Sequence, residues 1–263
     1  MKNKIKFIIL LIIILIVIIK LDIFNKKEKV TLSLIPITSN VQEEQIPEIK
    51  KAEDKKEEIK KEEINKPVVF DCPSPKKEYD DMSLLNIGQN TILTDTSYIP
   101  KDLKELSLTS STRKGLCLVK KVKEAFELMV KEATKENIKI KVSSAFRSYA
   151  TQKILYENDL KTKKLEVSDS VAKAGYSEHQ LGTTIDITGS SIDYTSASDK
   201  FSGTIEDEWL KKNSYLYGFI QSYPSGKAEI TGYKYEPWHY RYVGIDKAKE
   251  IKDSNLTIIE FLK

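Results

Sequence analysis

The sequence predicts an α+β domain, and three observations carry that prediction. Residues 113–135 place Leu116, Val119, Val122, Phe126, Met129, Val130 and Ala133 on one helical face, with charged residues on the other. Short β-branched and aromatic runs at 138–142, 182–187, 219–223 and 238–243 have the length and composition of strands. Further helical stretches at 151–161 and 206–217 lie between those runs. A chain of 263 residues leaves room for one large or two small domains, and no internal repeat divides it.

The chain opens with Lys2, Lys4 and Lys6 and then an unbroken apolar run from Phe7 to Ile19. A basic start followed by an apolar core is an export signal. The run is short of the ~20 residues of a spanning helix. Lys20 can snorkel, however, and Leu21, Ile23 and Phe24 extend the apolar face. No small-residue cleavage site follows, so 1–24 is expected to be an uncleaved signal-anchor, a single pass through the cell membrane. The lysines ahead of the run place the N-terminus inside and the rest of the chain on the extracellular side.

Residues 25–67 alternate Lys and Glu in short blocks with few apolar residues, and cannot bury enough surface to order themselves. They are expected to be a tether, either flexible or a solvated single helix supported by Glu57–Lys60 and Glu58–Lys61. The globular domain is then 68–263. Its first part, from Leu84, reads as an extended arm packed on the domain. The helix at 113–135 follows, then a strand at 138–142 with Ile138, Ile140 and Val142 inward. Polar residues Ser143, Ser144 and Arg147 stand at that strand's end, where a cleft would open. A helix over 151–161 is followed by a short one over 168–175, closed by Gly175. The strand 182–187 puts Thr184 and Asp186 on one face and Ile185 and Ile187 on the other. Residues 189–204 form a polar loop expected at the rim of a site, and the helix 206–217 ends at Gly218. Strands at 219–223 and 238–243 follow, the latter carrying His239 with Trp238 and Tyr240 on its opposite face. The tail from Ile245 forms one or two short helices.

Composition excludes several classes. There are 43 basic and 39 acidic residues, a net charge of +4, and the two signs are interleaved without an Arg-rich stripe. Neither nucleic-acid binding nor a strongly acidic partner is indicated, and no protein partner is called for. The two cysteines, Cys72 and Cys117, form no C-x-x-C pair, which leaves a structural zinc cluster or a thioredoxin-like site unsupported. In an exported chain they permit one disulfide, pinning the first segment to the domain; two unpaired thiols are the equal alternative.

Chemistry concentrates in SEHQLGTTID at 177–186 and EPWH at 236–239. The chain has only two histidines, and one falls in each stretch. Asp186 follows His179 by seven residues and Glu236 precedes His239 by three. A lone histidine is usually structural, and either spacing alone is weak. Together, two imidazoles and a carboxylate make a three-point site for one zinc ion, with the fourth position left to water or substrate. A second carboxylate nearby, not bound to the metal, supplies the base that a hydrolase needs.

The pattern S-x-H-x-x-G-x-x-x-D, followed some fifty residues later by E-P-W-H, resembles the zinc-dependent D-alanyl-D-alanine carboxypeptidases of the VanY type. SSAFRSYATQKILY at 143–156 and GFIQSYPSGKAEITGYKYEPWHYRYVG at 218–244 extend the likeness, which covers roughly 84–251. The family usually has Ala two residues before the metal Asp; here Thr184 takes that place, a packing variation. The resemblance implies a small, mostly antiparallel sheet with helices packed against it. It implies zinc held by His179, Asp186 and His239. Glu236 would take a proton from water and later deliver it to the leaving amine. Arg147 would stabilise the oxyanion or hold the peptide, and Gln152 and Ser177 would fix the C-terminal residue. The implied substrate is a peptidoglycan stem peptide ending in D-Ala-D-Ala. The rivals are an L,D-carboxypeptidase acting on tetrapeptide stems and a non-catalytic wall-binding domain.

Overall fold

The computed structural model describes residues 72–77, 81, 83–88, 91–168 and 170–263. The expected anchor at 1–24 and the tether at 25–67 lie outside the described residues. Among the described residues no helix is long and apolar enough to cross a membrane. The described residues belong to one compact unit, Pro67–Lys263.

The functional layer is a four-stranded antiparallel sheet of β3 (Ile140–Ser144), β4 (Thr184–Gly189), β5 (Phe219–Gln221) and β6 (His239–Tyr242), in the order β3-β4-β6-β5. A smaller two-stranded sheet pairs β1 (Leu103–Glu105) with β2 (Cys117–Val119). The α+β class and the antiparallel sheet therefore hold. Side chains alternate along β4 as the sequence implied: Ile185 and Ile187 enter the main apolar core, while Thr184 and Asp186 turn to the other face.

Helix α1 (Lys120–Lys135) closes the core side. Val122, Phe126, Met129 and Ala133 recur at helical spacing and are fully buried, with Phe126 edge-on to Phe219 of β5 at 6.1 Å between ring centres. Two expectations are corrected at its start. The helix begins at Lys120 rather than at 113, and Cys117, Leu118 and Val119 form a strand. A three-residue apolar run fits both periods, and pairing of Leu103, Lys104 and Glu105 with 119, 118 and 117 decides it.

Helix α2 (Tyr149–Lys163) starts at Ser148, whose hydroxyl accepts the Thr151 amide. The expected helix over 168–175 is not formed among its described residues. The Ser168 hydroxyl instead accepts the backbone N–H groups of Ser170 and Val171 and donates to Asp159, a local arrangement that competes with a helical turn. The polar stretch 189–204 contains two 3₁₀ turns, Ser190–Ile192 and Asp199–Phe201. Helix α3 (Ile205–Asn213) passes into a 3₁₀ turn, Ser214–Tyr217, so the expected helix over 206–217 is two elements. The chain then forms α4 (Ala228–Thr231), and ends in α5 (Ile245–Ser254) and α6 (Ile258–Phe261), which pack Ala248, Ile251 and Ile258 against Ile220 and Val243.

The arm does pack on the domain: Ile87, Leu93 and Tyr98 bury against Leu181. Cys72 and Cys117 form a disulfide across 45 residues, tying the segment ahead of the arm to β2. A loop of that length gives about 4 kcal/mol of chain-entropy stabilisation. The Cys72→Ala/Cys117→Ala double variant should therefore lose about 2–4 kcal/mol in denaturant unfolding, with reductant having no further effect on it.

Candidate metal centre

Two of the three expected ligands are fixed by strand register. Asp186 on β4 pairs directly with His239 on β6, so their side chains rise side by side from one face of the sheet. His179 comes from a 3₁₀ turn, Glu178–Leu181, that leads into β4. Gly182 makes the turn from that element into the strand at φ +68°, and a side chain there would run into Pro100 at 2.7 Å. Glycine is thus required on both counts.

The three residues are buried, and one ligand atom from each lies within 4.8 Å of the others. His179 Nε2 is 3.3 Å from Asp186 Oδ1, and His239 Nδ1 is 3.2 Å from the same oxygen. Two ligands at zinc bond lengths in a tetrahedron stand about 3.4 Å apart, so these separations fit one such ion. A second observation supports the fit. His179 Nε2 is buried and makes no hydrogen bond, while its Nδ1 is engaged by the Ala145 carbonyl at 2.7 Å. The free nitrogen faces the other two ligands.

The electrostatics agree. Burial, reinforced by Arg147, lowers His179 to about 4, so its ring is neutral and has a lone pair to give. Burial also acts to lower His239, but hydrogen bonds to Asp186 and Glu178 and the Glu236 charge outweigh it and push the ring up to about 10. Burial opposes ionisation of Asp186 too, yet both histidines hold it well below the usual carboxylate range. A bound metal would replace the proton on His239 Nδ1.

Glu236 stands beside the ligands, Oε2 3.4 Å from His239 Nδ1. Pro237 follows it, and the His239 amide returns to the Glu236 carbonyl. Burial pushes its carboxyl up to about 7; His239 and Arg147 pull down, while Asp186 and Glu178 add to the rise. A cavity of about 140 Å³ opens over the site, lined among others by Arg147, Gln152, Ser177, Tyr223 and Tyr233, and also by Trp238, which was expected on the far face but precedes β6 and escapes its alternation. The structure thus brings all seven residues singled out from the sequence to one cleft. Arg147 has Nη2 4.0 Å from Asp186 and leaves Nε without a partner. Gln152 donates to the Ala172 carbonyl at 2.7 Å, which leaves its Oε1 unpartnered. The Ser177 hydroxyl does not cap its own turn.

Sequence reasoning missed Glu178, Ser222 and Arg241. Glu178 is buried, and its Oε2 accepts from His239 Nε2 at 3.0 Å and from the Ser222 hydroxyl at 2.6 Å. Its Oε1 accepts from Arg241 at 2.9 Å. Burial opposes the charge, but Arg241 and His239 hold Glu178 down at about 2. The available signal was Arg241 two residues after His239, a charge on the site face of a buried strand that needs an acidic partner.

A family model described as VanY, D-alanyl-D-alanine carboxypeptidase, matches residues 115–245. The chain is 37% identical over 172 residues to the putative carboxypeptidase YodJ of Bacillus subtilis strain 168, covering 64% of this chain. It spans 62% of that relative's length and 54% of a second one's. Its fold is similar to the LdcB LD-carboxypeptidase, with a TM-score of 0.64 and 33% identity over 70% of this chain and 91% of that one. It is also similar to a vancomycin-resistance D,D-pentapeptidase, VanY, solved with Zn(II), with a TM-score of 0.57 and 29% identity over 69% and 99%. The chain belongs to the VanY-type carboxypeptidase family.

The raised carboxyl of Glu236 has a consequence for the metal-free protein. A carboxyl raised in the fold stabilises below its unfolded value, near 4.5, and loses that contribution as pH rises through about 7. Glu236→Gln, which carries no charge, should become more stable than wild type between pH 4.5 and 7.5, by on the order of 2–3 kcal/mol at the upper end. Paired urea titrations of the metal-free proteins across that range read the difference.

Proposed function

We propose that the protein is a zinc-dependent D,D-carboxypeptidase that removes the terminal D-alanine from peptidoglycan stem peptides ending in D-Ala-D-Ala. The observation that carries this reading is the buried set His179, Asp186 and His239, with the Glu236 carboxylate beside it and outside the ligand set, 3.4 Å from His239. A carboxylate so placed can take a proton from a water at the fourth position and return it. Zinc held by the three ligands would polarise the scissile carbonyl and acidify a water.

The chain's own groups divide the remaining work. Glu236 accepts the proton of the attacking water and passes it to the leaving amine. The unpartnered Nε of Arg147 is a donor for a carbonyl oxygen that gains charge. The free oxygen of Gln152 is an acceptor, so it suits a substrate N–H rather than a carboxylate. Ser177 offers its hydroxyl to the terminal carboxylate. The basic–apolar start of the chain and the charged stretch after it support a placement at the membrane with the domain reaching the wall.

An L,D-carboxypeptidase acting on tetrapeptides is the second reading, favoured by the higher TM-score of the LdcB neighbour. Offered pentapeptide and tetrapeptide stems, the purified protein should release D-alanine from the pentapeptide, lose this activity to a chelator and regain it with zinc. Glu236→Gln should keep zinc and lose about 10²–10⁴ in rate. Release from the tetrapeptide alone would move the cleaved bond. No release from either stem with zinc bound would overturn the peptidase reading.

A further inference from the structure

We propose that Glu178 is a positioning residue of the metal centre: its carboxylate, clamped by Arg241 and Ser222, holds the Nε2–H of His239 and so presents Nδ1 to the metal. The inference rests on the zinc reading of the site and extends it to residues outside the ligand set.

The geometry is specific. The two histidines present opposite nitrogens to the centre. For His179 the far nitrogen, Nδ1, is satisfied by the Ala145 carbonyl, a backbone group that cannot move independently. For His239 the far nitrogen, Nε2, meets a side chain, and a side chain must itself be held. Glu178 is held at both oxygens. Oε2 takes the Ser222 hydroxyl as well as the His239 nitrogen, and Oε1 takes Arg241. Arg241 is wholly buried on β6, two residues after His239, and its other terminal nitrogen donates to the Ser83 and Leu85 carbonyls of the arm. A carboxylate that already accepts from Ser222 and Arg241 has no proton of its own to offer, so it selects the His239 tautomer with hydrogen on Nε2. The ring is steadied further by Tyr223, whose ring centre lies 4.6 Å away.

A carboxylate at this distance from the far nitrogen of a metal-bound histidine also makes the ring a stronger donor, and loss of such a group commonly costs 10–100-fold in metal affinity. A role limited to neutralising Arg241 would change folding stability and leave the ion's surroundings unaltered.

The test is zinc affinity by competition with a chromophoric chelator, with the visible spectrum of the cobalt-substituted protein as a second readout. Glu178→Gln should bind zinc about tenfold or more weakly and shift the cobalt bands. Ser222→Ala, which removes one clamp and no charge, should fold as wild type and weaken binding in the same direction by a smaller factor. It decides the matter if Glu178→Gln does not fold. Unchanged affinity and cobalt bands in a folded Glu178→Gln protein, or in Ser222→Ala where only that variant folds, would overturn the role of Glu178 alone. A wild-type chain that binds no zinc would overturn the site reading itself.

Discussion

The pairing of Asp186 with His239 across β4 and β6 sets the rest of the site. A slip of one residue would turn Asp186 into the apolar core and bring Ile185 or Ile187 to the cleft. The register is held from the core side. Ile185, Ile187 and Tyr240 are buried in the main apolar core, so the strands cannot shift without exposing them. Packing on one face of the sheet thereby fixes chemistry on the other. Gly182 turns the 3₁₀ element that carries His179 into β4, and the Ala145 carbonyl holds the His179 ring at Nδ1.

Burying so many charged groups demands compensation, because a carboxylate removed from water without partners costs several kcal/mol. The centre meets this by sharing. Asp186 serves both histidines, His239 serves Asp186 and Glu178, and Glu178 serves Arg241. Glu236 is the exception. It sits near two other carboxylates and lacks a donor of comparable strength, and its carboxyl is the one of the three that rises rather than falls. The same environment that makes Glu236 costly to ionise suits it to proton transfer.

The ligands were legible in the sequence because histidine is scarce and both copies stand beside acidic residues within Gly- and Pro-containing segments. The long core helix and the β4 alternation were legible because their periods are unambiguous over several residues. Short elements were not. The run Cys117–Val119 fits a helix or a strand, and only its pairing with Leu103–Glu105 decides. The stretch from Ser168 looked helical by composition, yet one hydroxyl captures the amides that a helix would use. Glu178 escaped for a different reason: its partner Arg241 is 63 residues away, and no local pattern joins them. The pairing of the cysteines likewise depended on a distance that spacing does not give.

The most direct measurement is a crystal structure of the zinc-loaded protein with anomalous scattering recorded at the zinc edge. One peak should appear, bonded to His179 through Nε2, to His239 through Nδ1 and to Asp186, with Glu236 facing the ion but not bound to it. A peak elsewhere, or one in which Glu236 or Glu178 replaces any of these three ligands, would contradict the assignment of the centre.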